Sequence, residues 1–149
     1  MGVNIFLLIL TNMEFKLSEI LIIDDDDAIK FVESKILRKM RFLKPIRFFK
    51  NGKEGLDFLR SRPLDPPSSF PRLILLDLHM PVLDGWGFLA EFDKLSDEIK
   101  SSYDVIIRTS SIDPEDRNRA INSPRIKDFM VKPLEYDLLL EIFVKHGFV

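Results

Sequence analysis

The chain has no cysteine among its 149 residues. That excludes disulfides, thiolate metal sites and a thiol nucleophile, and it suits a reducing, cytoplasmic location. Histidine is almost absent as well: His79 and His146 are the only two, too few for a histidine-rich metal site. No charge of one sign dominates, with 22 basic against 24 acidic residues. Nothing in that balance points to nucleic acid or to a solvating acidic tail. Long apolar runs are missing too. Val3 to Leu10 is apolar apart from Asn4, far short of the ~20 residues a spanning helix needs. It also lacks the basic flank and small-residue cleavage site of a signal peptide. Met13 therefore reads as the natural start, with residues 1–12 an upstream extension. An extra strand or an interfacial segment is the other reading.

What is present is a core. Apolar residues make up 46% of the chain, enough for one full-sized domain. We assign residues 1–18 to an N-terminal extension and 19–149 to that domain. Ile20–Ile23, Ile46–Phe49, Leu73–Leu76, Val105–Ile107 and Phe129–Val131 are short apolar runs of the kind that forms strands buried on both faces. Between them, helical spacing covers Ala28–Met40, Lys53–Arg60, Gly85–Lys100, Pro114–Asn122 and Glu135–Lys145. Asn51-Gly52 reads as a turn. Ser61 to Arg72, with four prolines, reads as a long surface loop. Five strands alternating with five helices imply an α/β, doubly wound parallel sheet. In such sheets ligands bind outside the carboxyl ends of the strands.

Polar residues sit at those ends. The first strand runs into Asp24 and Asp25, the third into Asp77, the fourth into Thr109 and the fifth into Lys132. If strands one, three, four and five are neighbours, these side chains converge. Carboxylates ~4 Å apart at an effective dielectric of ~20 repel by about 4 kcal/mol per pair, so the cluster must hold a cation or a proton. Oxygen-only donors favour a hard ion such as Mg²⁺. A carboxylate, an ammonium and a hydroxyl are the groups that phosphoryl transfer to Asp77 would use. Each residue also has a plainer reading. An aspartate run before a helix is often an N-cap in a favourable macrodipole, which is preferred for Asp26 and Asp27 and stays open for Asp24 and Asp25. A lone Asp or Thr at a strand end is commonly a turn or cap residue. The specificity lies in all of them occurring in this order.

The stretches Ile-Leu-Ile-Ile-Asp-Asp-Asp-Asp (20–27), Leu-Ile-Leu-Leu-Asp-Leu-His-Met-Pro-Val-Leu-Asp-Gly (73–85), Arg-Thr-Ser-Ser (108–111) and Phe-Met-Val-Lys-Pro (129–133) resemble the response-regulator receiver family of two-component signalling. The resemblance implies a flavodoxin-like (βα)5 fold for residues 19–149. It implies Asp77 as phosphoacceptor, with Asp24, Asp25, Asp77 and the backbone carbonyl of His79 around Mg²⁺ or Mn²⁺. Thr109 and Lys132 would follow and pair with the phosphoryl group, and the Lys132-Pro133 peptide would be cis. Phe129 matches the aromatic switch position, preferred here over an ordinary core aromatic. His79 and Ser111 stand where this family tunes phosphoryl lifetime. Arg108 departs from the pattern, replacing the usual apolar residue before the Thr, and suggests a more exposed strand end.

The implied activity is a self-phosphorylating and self-dephosphorylating switch rather than a turnover enzyme. The implied donor is a sensor histidine kinase or histidine phosphotransfer protein. Because the sequence ends at Val149, output is expected through protein contact or phosphoryl relay. The face is helix 114–122, strand 129–131 and helix 135–145, with a homodimer possible and no nucleic acid or membrane involved. The last helix is apolar on more than one face, which fits either deep burial or docking. A degenerate, phosphorylation-independent binding module is the alternative, disfavoured by the complete acceptor set. A metal-dependent aspartyl phosphatase is disfavoured by His79, which stands where such enzymes usually carry a second acid.

Overall fold

Alternation along the strands divides the core in two. In the computed structural model, which describes residues 14–62, 70–132 and 134–149, Ile20, Ile22, Leu73, Leu75 and Ile106 join one buried cluster. Leu21, Ile23, Ile74, Leu76, Val105 and Ile107 join another. A period of two puts successive side chains on opposite faces, so each strand feeds both layers. The strands are β1 (Glu19–Ile23), β2 (Ile46–Phe49), β3 (Arg72–Leu76), β4 (Tyr103–Thr109) and β5 (Ile126–Val131). They form one parallel sheet in the order β2-β1-β3-β4-β5. This is the doubly wound, flavodoxin-like arrangement expected. β2 and β5 lie at the edges and are only partly buried.

The helices are α1 (Asp27–Lys39), α2 (Gly52–Ser61), α3 (Gly85–Phe92), α4 (Asp97–Ser102), α5 (Pro114–Ile121) and α6 (Tyr136–Lys145). Leu37 of α1 and Leu139 and Phe143 of α6 cover the first cluster. Leu56 and Leu59 of α2 and Phe88 and Phe92 of α3 cover the second. Each such side chain contributes about 1.5–3 kcal/mol through burial.

Several expectations need correction. The single helix expected over Gly85–Lys100 is two. α3 ends with Asp93 as C-cap, and α4 restarts where the Ser96 hydroxyl accepts from the Ile99 N–H. A serine that caps a new helix competes with continuation of the old one, and there are six helices rather than five among the described residues. β4 and β5 are longer than their apolar runs because ladder pairing carries the polar residues Asp104, Arg108 and Asp128 along, with Lys127 at a register shift between Ile126 and Asp128. Asn51-Gly52 is not a free turn: Asn51 caps α2 by accepting from the Glu54 N–H.

The last helix is mostly core, with Leu139, Leu140, Ile142 and Phe143 buried and Leu138 and Val144 exposed. Leu17 is fully buried and the Lys16 N–H donates to the Phe148 carbonyl, so packing begins ahead of β1. The readings for residues 1–12, for most of the proline-rich loop and for the Lys132-Pro133 peptide fall outside the described residues. No described helix is long and apolar enough to cross a membrane.

Candidate functional site

Sheet order decides which strand ends meet. From β1 the chain steps outward to β2, then returns to the other side as β3. The switch point of the sheet therefore lies between β1 and β3, where ligands of such folds collect. Asp24 and Asp77 are the first residues beyond those two strands. Backbone bonds hold both in line: the Asp24 N–H donates to the Phe49 carbonyl at 2.9 Å and the Asp77 N–H to the Ile23 carbonyl at 3.0 Å. Likewise the Lys132 N–H donates to the Thr109 carbonyl at 2.8 Å, extending β5 along β4.

Asp24, Asp25 and Asp77 each offer a carboxylate oxygen, and these atoms lie within 4.8 Å of one another. Asp24 and Asp77 are buried while Asp25 faces solvent at the rim. The Lys132 ammonium reaches both buried acids, 2.6 Å from Asp24 and 3.3 Å from Asp77. Burial raises the Asp77 carboxyl above its ordinary range, with Lys132 opposing and the Asp24 charge reinforcing. Among the described residues, Asp77 Oδ1 is buried without a hydrogen-bond partner. An all-oxygen donor set with an unsatisfied buried carboxylate oxygen fits a hard divalent cation.

The loops frame this pocket tightly. Gly85, just after the α3 cap Asp84, lies so close to the Asp77 and Leu78 backbone that an added Cβ would sit 2.4 Å from the Asp77 carbonyl oxygen. Only glycine allows that approach. Thr109 is fully buried and its hydroxyl accepts from the Ser111 N–H at 3.1 Å. Ser111 in turn donates to Asp116 Oδ2 at 2.7 Å, and the Trp86 indole donates to Asp116 Oδ1 at 3.2 Å. The exposed His79 ring lies 3.5 Å from the same carboxylate. The Ser111 hydroxyl above all, with Trp86 and His79 adding, holds the Asp116 carboxyl below the usual range against the opposing effect of burial. Phe129 is half-buried, packed with the second cluster and lining a pocket with Ser111, Ile112, Pro114, Arg117 and Val131.

Asp26 is the N-cap of α1, accepting from the Ala28 N–H, and Asp27 sits in its first turn. The plainer reading holds for both.

Arg108 overturns an expectation. It is not exposed but fully buried. β4 alternation sets it on the same face as Ile106, beneath α1. There it contacts the Glu33 carboxylate through Nε and lies 3.3 Å from Asp24 through Nη1. Glu33 is buried beside Leu37, whereas Phe31 and Val32 point outward. Its carboxyl is pushed up to about 7, chiefly by burial, with Arg108 opposing and Asp24 adding. Sequence reasoning missed Glu33, although its signal was there. One acid stands in the inward stripe of α1 and one base in an apolar strand, of opposite sign.

Residues 20–143 match the response regulator receiver domain. The chain belongs to that family. The receiver is 30% identical over 118 residues to "Probable methanogenesis regulatory protein FilR2" of Methanothrix harundinacea, covering 79% of this chain and 74% of that one. It is 23% identical over 128 residues to "Probable C4-dicarboxylate response regulator DctR" of Bacillus subtilis, covering 86% of this chain and spanning 51% of DctR. A solved response regulator receiver protein from Dyadobacter fermentans is 29% identical, with a TM-score of 0.73 over 85% of this chain and 95% of that one. The receiver of two-component systems is thus shown by sequence and by fold.

Proposed function

We propose that this receiver accepts a phosphoryl group on Asp77 from a phosphohistidine of a sensor kinase or phosphotransfer protein. The observation that carries the reading is the convergence of Asp24, Asp25 and Asp77 with Lys132 at the β1/β3 switch point. An Asp77 carboxylate oxygen forms the bond to phosphorus while the P–N bond breaks. The departing imidazole keeps the electron pair and takes a proton. Lys132 neutralises charge on the transferred oxygens, and Thr109 donates its hydroxyl to one of them after releasing Ser111. Asp24, Asp25, Asp77 and the His79 backbone carbonyl would hold Mg²⁺ or Mn²⁺, which supplies further neutralisation of phosphoryl charge. The chain's own chemistry is a switch with self-dephosphorylation, not turnover of an external substrate, and it belongs in the cytoplasm.

The signal follows from the same groups. Phosphorylation adds up to about two negative charges and strong acceptors. Drawing Thr109 toward them frees the Ser111 N–H and opens room beside Phe129, biasing the loop after β4 between two arrangements. The face of α5, β5 and α6 would carry this to a protein target.

The test is incubation with acetyl phosphate and Mg²⁺, followed by a search for a hydroxylamine-labile phosphoryl group. We expect label on the wild type and none on Asp77→Ala. Absence of label on the wild type, or equal label on the variant, overturns the reading.

A further inference from the structure

The acidic pocket contains a second fixed cation besides Lys132. Arg108 approaches Asp24 through Nη1 on the side away from solvent, and both residues are buried. Lys132 and Arg108 therefore share one carboxylate oxygen, Asp24 Oδ2. Arg108 cannot lose its proton and cannot swing out to water. Its outer partner is Glu33, on the α1 helix that begins just after the metal-site aspartates. Asp77 senses the Arg108 charge as well. Asp24 thus faces two resident cations, and the Arg108 guanidinium touches both Asp24, through Nη1, and Glu33, through Nε.

We infer that Arg108, anchored by Glu33, is a positioning residue that orients Asp24 and holds down the divalent-cation affinity of the pocket. The inference rests on the metal reading above. A bound cation must share Asp24 with the guanidinium and meets its repulsion. Glu33 moderates that repulsion by partly neutralising Arg108 from behind. The pair thus sets how strongly the resting receiver holds its metal. The pattern also explains why so costly a buried pair stands where aliphatic side chains would pack.

The two members of the pair should shift affinity in opposite directions. A pair that merely holds the fold together would weaken binding whichever member is lost. The probe is Mn²⁺ alone, titrated calorimetrically at pH 8 against the full chain, with thermal melting as a check on folding. Arg108→Met is expected to tighten binding by at least about tenfold, the lower end for removing one unit charge at this range. Glu33→Gln leaves the arginine uncompensated and is expected to weaken it several-fold. Arg108→Lys, which keeps the charge, should stay near wild type. If Arg108→Met does not fold, the apolar pair Glu33→Met with Arg108→Met replaces it, expected to tighten binding by less because Arg108 is the charge that touches Asp24.

Shifts of the same sign for Arg108→Met and Glu33→Gln, or weaker binding by the apolar pair, overturn the inference while leaving the metal site intact. A wild type that binds no Mn²⁺ overturns the metal reading itself and the inference with it.

Discussion

Glu33 concentrates the physics of single residues here. Its carboxyl ionises near 4.5 when exposed and near 7 in the folded chain, because burial outweighs the Arg108 attraction. Between those values the folded chain keeps a proton that the unfolded chain has lost. The Glu33 contribution to stability is therefore complete below about 4.5 and drains away as pH rises toward 7. At about 1.4 kcal/mol per unit, the loss is at most about 4 kcal/mol. Urea melts of the wild type and Glu33→Gln across this window should show the stability difference shifting against the wild type as pH rises. A difference independent of pH contradicts the assignment.

At the scale of elements, β1 carries a buried acid at each end, Glu19 at its start and Asp24 just past its finish. Glu19 meets Arg47 at 2.6 Å, Arg62 at 2.6 Å and Arg72 at 3.4 Å. It thereby fastens the starts of β2 and β3 and the end of α2 to β1. Arg62 also reaches the Tyr103 hydroxyl at 3.2 Å, which brings in β4. Removing one member of such a buried set leaves uncompensated charge. Because Arg47 is half exposed, water screens part of the loss. Glu19→Gln is expected to cost about 2 kcal/mol in chemical denaturation, with the pocket at the far end of the strand still binding Mn²⁺. Loss of binding in a folded variant would show that the two ends are coupled.

For the whole molecule, folding brings the Asp77 carboxylate up to those of Asp24 and Asp25, which it does not meet in the open chain. A divalent cation that binds only the folded form therefore stabilises it by mass action. At one hundred times its dissociation constant the gain is about 2.7 kcal/mol. We expect Mg²⁺ or Mn²⁺ to raise the melting temperature and Asp25→Asn to reduce that rise. A melting temperature indifferent to both ions counts against the metal reading.

The sequence by itself determined the apolar centres of the strands, the sheet type and which acids and lysine follow the strands. Ile20–Ile23 and Leu73–Leu76 have to be buried, and an aspartate directly after each can only lie at the sheet's carboxyl edge. That is a local argument of hydrophobic pattern and order along the chain, and Asp24, Asp77, Thr109 and Lys132 were legible by it. Arg108 was legible only as an anomaly, and its exposure was misjudged. A base inside an apolar strand becomes buried only if an acid from another element meets it, and Glu33 lies far away in sequence on α1. The break between α3 and α4 is of the same kind, since the Ser96 cap must win against continuation within its packing. Tertiary structure decided these matters because they turn on which faces are opposed. Periodicity says that a face exists, but only packing says which charge lies across from it.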